Sequence, residues 1–403
     1  MTGRRATVVT RRQVTGWPAV ALTAAAFTIA MLGTTLPTPL YPLYQQAFGF
    51  GELRTTVVFA VYAMGVMVAL VLTGRWSDQL GRRPMLRAGL ALSGLAALVF
   101  VLADSIGWLF AGRVASGLSA GIFTGTATAA LVDFAPGPHK ARAGLVAAVV
   151  NMGGLGLGPL IAGLLAQYAP APLRLVYLVD LGLVAVAAFA VEVVTEPVER
   201  AASPNLRPQK LAVPAEVRDV FVRAAIAGFA GFAVLGLFTA VSPAFFGAVL
   251  HDTNRALVGV VVFALFASSM AGQTVSSRLG ERRALIAGCA GLVAGMALIA
   301  GSLALASLPL LVTGAVIAGL AQGMGFRAGL TAVTVSAPAG RRAEITSTFF
   351  VVLYLGLIIP VIGEGAAARA VGLVSSGIVF AGGVAVLAIV VLALLIRGRD
   401  TTS

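Results

Sequence analysis

Twelve apolar stretches, each close to 20 residues long, recur along this 403-residue chain. They lie at roughly 17–37, 54–73, 87–104, 108–131, 143–167, 175–194, 223–246, 256–275, 284–304, 309–335, 345–368 and 375–396. About 20 apolar residues is the length a helix needs to cross hydrocarbon, where every backbone polar group must be bonded within its own segment. With 59% hydrophobic and 11% charged residues, little of the chain can be a water-solvated globule. The pattern predicts an all-α polytopic membrane protein with twelve transmembrane helices.

The net charge of +13 raises the question of nucleic acid, and its distribution answers against it. With an even number of spans and the N-terminus inside, only Arg54, Arg113, Arg174, Arg255, Arg327 and Arg369 fall outside the cytoplasmic segments. That asymmetry is the positive-inside rule, and it places both termini in the cytoplasm of a cell-membrane or inner-membrane protein. Arg4, Arg5, Arg11 and Arg12 precede the first apolar run as they would in a signal peptide, but eleven more spans favour an uncleaved first helix. Cys289 is the single cysteine, so no disulfide forms within the chain.

A polar, proline-bearing connection at 195–222 separates six spans from six and predicts a cytoplasmic linker with a short helix at 215–223. The expected units are an N-terminal bundle at 1–194 and a C-terminal bundle at 223–403. Leu80-Gly81-Arg82-Arg83 aligns with Leu279-Gly280-Glu281-Arg282, Arg113/Gly117/Gly121 with Ala315/Gly319/Gly323, and Gly158-Pro159 with Ile359-Pro360, at offsets of about 199, 202 and 201. Near-equal offsets point to duplication of a six-helix unit, giving two pseudo-symmetric bundles.

The hydrophilic clasp at 72–87 carries Gly74, Asp78, Gly81, Arg82 and Arg83 in the pattern G-x-x-x-D-x-x-G-R-R. It resembles the loop between the second and third helices of major facilitator superfamily transporters, and the resemblance covers nearly the whole chain. Arg113, Gly117, Gly121 and Gly125, spaced by four, form a small-residue ridge that lets a neighbouring helix approach. This resembles the fourth-helix motif of proton-coupled members, which implies a part for Arg113 in proton transfer. The residues themselves equally allow an arginine that snorkels outward or locks two helices. In the fifth span, Gly154, Gly158, Pro159 and Gly163 resemble the antiporter motif, which implies export. Ala162 and an out-of-register Gly144 depart from it.

The first span holds no acid, unlike that of some drug exporters in the family. Glu364 in the eleventh span is placed ahead of Asp180 in the sixth as the proton carrier, since a carboxyl in low dielectric can exchange a proton near neutrality. Arg369 is a partner for Glu364 at the boundary, and Asp180 has a competing reading as a boundary charge beside Arg174. Asp133 lies 20 residues beyond Arg113, roughly 30 Å along a helix, which brings it to the clasp. The resemblance then implies gating by Gly74, Asp78, Gly81, Arg82, Arg83 and Asp133 through charge pairs that hold an outward-open state. In the second half Ser277 and Glu281 replace the clasp aspartate and first arginine. Arg327 is expected to add a pair at this face or to line the cavity.

Tyr62, Asn151, Phe238, Gln322 and Tyr354 are the mid-span residues expected at a substrate cavity between the halves. Pro37, Pro39 and Pro42 predict a kinked outer end for the first span, with Tyr41 and Tyr44 at the membrane interface. Only His139 and His251 are present, with no metal-ligand cluster and no nucleotide-binding pattern, so neither enzyme activity nor a cofactor is expected. The expectation is a monomeric, proton-coupled exporter of drug-like or lipophilic molecules. The alternatives are a proton-coupled transporter of sugars or other small metabolites and, in another class, a channel or membrane sensor. Expected partners are a small-molecule substrate, protons and lipid.

Overall fold

The computed structural model describes residues 14–338 and 340–397. Arg4, Arg5, Arg11 and Arg12, which carry part of the topology reading, lie outside the described residues. Twelve helices are long and apolar enough to cross a membrane, and each coincides with one of the expected spans. The only extended pairing among the described residues is an isolated bridge of Val14 with Val194.

The first half comprises α1 (Gly16–Thr35), α2 (Tyr41–Phe48), α3 (Glu52–Thr73), α4 (Ser77–Leu80), α5 (Arg82–Val101), α6 (Ile106–Phe134), α7 (Lys140–Tyr168) and α8 (Pro172–Val193). The second comprises α9 (Arg218–Ala240), α10 (Ser242–Ala248), α11 (Arg255–Leu279), α12 (Glu281–Leu305), α13 (Leu308–Ser336), α14 (Arg342–Val371) and α15 (Leu373–Arg397). Packing repeats between them. The pairs α1–α7, α3–α6, α5–α6 and α5–α8 have counterparts in α9–α14, α11–α13, α12–α13 and α12–α15. The halves meet through α7–α11 and α3–α14, related in the same way.

Burial follows from position rather than from hydrophobicity. The most apolar span, α15, has a mean hydropathy of 3.0 and is 33% buried, whereas the span Ala215–Ala240 has 2.0 and is 72% buried. Val186, Phe189, Leu305 and Val379 stand outward, more than half exposed, as lipid-facing side chains must. Inside, where lipid offers no apolar contrast, small residues let backbones meet. Gly117 and Gly121 lie against the backbone of α3 at Tyr62 and Val66, and Gly319 and Gly323 lie against α11 at Leu265 and Ser269.

Two local expectations need correction. The first span does bend after Thr35, through a 3-10 turn at Thr38–Leu40 into α2. Tyr41 and Tyr44, however, are 2% and 1% exposed rather than interfacial, because their hydroxyls find buried partners in Arg113 and Tyr177. The helix expected at 215–223 is the leading turn of the seventh span, where Ala215–Val217 runs directly into α9.

Candidate functional site

A small chamber of about 50 Å³ sits between the halves, lined by Phe59, Tyr62, Asn151, Phe232, Phe266 and Tyr354, among others. Beyond it a cavity of about 610 Å³ reaches the clasp end, lined in part by Asp133, Asn151, Gln273, Phe326, Arg327 and Phe350. At the opposite end the halves close on each other. Gln167 Oε1 accepts from the Arg255 backbone N–H at 3.0 Å, Gly259 abuts the Pro159 carbonyl, and Gly365 abuts Thr56. The molecule is therefore open at the clasp end and sealed at the other.

Three of the five residues expected at the cavity, Tyr62, Asn151 and Tyr354, line the chamber. Phe238 and Gln322 do not border either space. Phe238 is 2% exposed in the core, and Gln322 Oε1 accepts from Ser269 Oγ at 2.6 Å. Arg327 lines the larger cavity and makes no ion pair among the described residues. Gln273 was missed by sequence reading: it is buried at the cavity wall with neither amide atom bonded.

The clasp draws its charges together within the first half. Gly81 turns the chain at φ 97, a region that any Cβ disfavours, and lets α5 begin at once. Arg82 then pairs with Asp78 at 2.6 Å and with Asp133 at 2.9 Å, while its guanidinium also donates to Ser77 at 2.6 Å. Arg83 and Arg87 converge on the Glu192 carboxylate at 3.3 and 2.5 Å. Glu196 accepts from the backbone N–H groups of Arg82 and Arg83, satisfying two donors at the start of α5. Gly74 closes α3 in ordinary helical geometry. The linker is fastened here: Gln79 exchanges hydrogen bonds with Asn205, Trp76 Nε1 donates to Leu206 O at 3.2 Å, and Gln209 N donates to Val71 O at 2.7 Å. All these ion pairs lie within one half, and they form in a molecule open at this end.

The buried ionisable groups form two separate sites. Arg113 is 1% exposed and does not snorkel; it donates to Thr34 O at 2.6 Å and to the Tyr41 hydroxyl at 2.5 Å. Its guanidinium also stands 5.5 and 5.6 Å from the Tyr41 and Tyr62 ring centres, a cation–π arrangement that replaces a counter-ion. Asp180 is 3% exposed, and its carboxyl rests against Gly33 with Oδ1 unpartnered. Arginine and aspartate thus address the same turn of α1. Glu364 lies in the other half, 4% exposed, with Oε1 accepting from Ser376 Oγ at 3.0 Å. Arg369 does not pair with it and instead borders a cleft shared with Glu52 and Arg54.

The glycine motif of α7 serves two partners. Gly154 and Gly158 seat on the α1 backbone near Thr28 and Leu32, and Gly163 seats on Arg255 and Gly259 of α11. Pro159 is accommodated inside the continuous helix. Pro159 and Gly163 therefore lie at the seal between the halves, whereas Gly154 and Gly158 pack within the first half.

A family model described as Major Facilitator Superfamily matches residues 23–359. The chain is 29% identical over 140 residues to the quinolone resistance protein NorA of Staphylococcus aureus, covering 34% of this chain and 36% of that protein. It is 28% identical over 139 residues to multidrug resistance protein 2 of Bacillus subtilis, covering 34% and 35%. The match spans about a third of the length of these curated relatives. A bacterial homolog of the human lysosomal transporter Spinster, solved in an inward-facing and occupied conformation, superposes with a TM-score of 0.73 at 16% identity, over 94% of this chain and 96% of that one. The human organic anion transporter MFSD10 (TETRAN) gives 0.69 at 18%, over 94% and 99%. At such identities the likeness is one of fold.

Proposed function

Because the chain belongs to the Major Facilitator Superfamily, we propose that this multi-pass membrane transporter is a proton-coupled exporter of lipophilic, drug-like molecules. The observation that carries this reading is the aromatic, largely apolar chamber between two halves, sealed at one end and open at the other. Such a chamber suits alternating access by rocking of the halves about a fixed site. The printed names of the bacterial relatives, quinolone resistance and multidrug resistance, support the substrate class. The proposed units are 1–194 and 223–403, joined by the linker 195–222, with both termini and the clasp on the cytoplasmic side of the cell membrane.

Roles follow from chemistry. Tyr62, Asn151 and Tyr354 contact substrate. Asp78, Arg82 and Asp133 gate the cycle by keeping the clasp end of the first half rigid. Pro159 and Gly163 provide part of the surface on which the halves close, and Gly154 and Gly158 seat α7 on α1. Glu364 carries the proton, with Asp180 and Arg113 as the competing site. A membrane potential supplies about 2.3 kcal/mol per charge per 100 mV, enough for one inward proton to drive substantial export. A polar metabolite is the second reading, favoured by Gln273 and Arg327 at the cavity wall. Purified protein in liposomes, screened with an imposed pH gradient of either sign, tests the proposal: substrate should accumulate only against inward proton flow. Transport unchanged after collapse of the gradient and potential contradicts coupling.

A further inference from the structure

Charge is scarce along the path between the halves. No charged residue lines the small chamber, and two line the larger cavity, Asp133 from the first half and Arg327 from the second. They are not equivalent. The Asp133 carboxylate is held by Arg82 at 2.9 Å, whereas Arg327, partly buried on α13, makes no ion pair among the described residues. The cavity therefore presents one uncompensated positive charge. A guanidinium set against apolar walls is incompletely hydrated, and it gains from an anionic partner brought to it.

The surroundings of Arg327 determine what else that partner carries. Phe326 and Phe350 border both the cavity and the chamber, and Asn151 does so from the first half. Aromatic surface thus continues from the cavity into the space lined by Tyr62, Phe232 and Tyr354. Thr331, one helical turn beyond Arg327, adds a hydroxyl to the same cavity. A single arginine balances a single charge, and Asp133 in the same cavity repels a second one. We propose that the substrate is an amphipathic monoanion, an aromatic carboxylate whose head pairs with Arg327 while its rings lie against Phe326 and Phe350 towards the chamber. The planar fork of guanidinium donors matches a carboxylate bidentately. A neutral isostere leaves Arg327 unpaired, and a cation is repelled by it.

This rests on the exporter reading in placing substrate between the halves, and it narrows that reading's substrate class. Full-length protein in lipid nanodiscs is titrated with three tritiated probes that share one ring system: naphthoate, neutral naphthamide and cationic naphthylmethylammonium, with empty nanodiscs subtracted. The wild type should bind naphthoate at least tenfold more tightly than either of the others. Arg327→Gln should erase that preference, weakening naphthoate at least tenfold and naphthamide less than threefold, and Arg327→Lys should keep the order of the three. Phe350→Ala should weaken naphthoate and naphthamide alike. No preference for naphthoate in the wild type, or a preference kept by folded Arg327→Gln protein, overturns the anion site. Turnover lost in Arg327→Gln with the order of affinities unchanged also overturns it, since a closing pair with Asp133 would give that result. The exporter reading fails separately: naphthoate bound with the expected selectivity, but moved in liposomes regardless of pH gradient and potential, leaves the site standing and removes the coupling.

Discussion

The turn between α3 and α5 and its repeat between α11 and α12 share a backbone and differ in charge. Gly81 and Gly280 hold φ of 97 and 77, and each launches a long helix immediately. Around Gly81 stand Arg82, Asp78 and Asp133, the Arg83–Arg87–Glu192 cluster and the linker. Around Gly280, Glu281 replaces the first arginine, and Ser277 merely returns its hydroxyl to Thr274 O at 2.7 Å. Arg282 donates to Leu395 O at 2.6 Å, and Val335, at the position matching Asp133, is 67% exposed. No ion pair forms at that second turn among the described residues. The second turn thus keeps the glycine without the ion pairs, and the proposed gating charges are confined to the first half.

Substitutions can break that comparison. Arg82→Ala or Asp133→Ala should give the largest effect, at least a tenfold loss of turnover in liposomes. Arg82 keeps Asp78 and Ser77 when Asp133 is removed, so the loss falls on the link between α5 and α6 rather than on solvation of the charge. Substrate affinity should change much less than turnover. A large loss of thermal stability with normal turnover in the surviving fraction would contradict gating.

Gly81→Ala and Gly280→Ala should each destabilise by about 1–3 kcal/mol, read as a drop in thermal midpoint, since both place a Cβ in a glycine region. Only the former should also slow transport, because its new methyl crowds Glu196 whereas nothing stands near Gly280. Asp78→Asn should slow transport less than Asp133→Ala, since the Asp78 side chain is 62% exposed and its pair is screened by water. The smallest effect belongs to Glu281→Arg, which recreates the first-half residue without its acids. A change in turnover above about twofold there would show that the second turn also gates.

The spans were legible because hydrocarbon thickness imposes a length that a sequence displays directly. The repeat and the clasp were legible because glycines and charges stand out in apolar chain. Helix rotation was not, since a span apolar all round does not mark its inward face. Hence Phe238 and Gln322 turn into packing contacts, while Phe326 and Phe350, indistinguishable in sequence from lipid-facing phenylalanines, line the cavities. Gln273 did carry a signal: an amide within the inner end of an apolar span requires a partner or a cavity. Tyr41 and Tyr44 misled because interfacial tyrosines and tyrosines serving a buried arginine look alike until the bend after Thr35 is known.

The central claim is that the halves rock so that the open clasp end closes as the sealed end opens. The helices α7 and α14 report on it at both ends. Spin labels at Ala141→Cys and Ala343→Cys mark the clasp end, and labels at Tyr168→Cys and Val371→Cys mark the other, in a Cys289→Ser background. Interspin distances measured in nanodiscs with and without substrate, at two pH values, should shift in opposite directions, the first pair shortening as the second lengthens. Distances that stay fixed under all conditions, or that change together, would contradict alternating access in this protein.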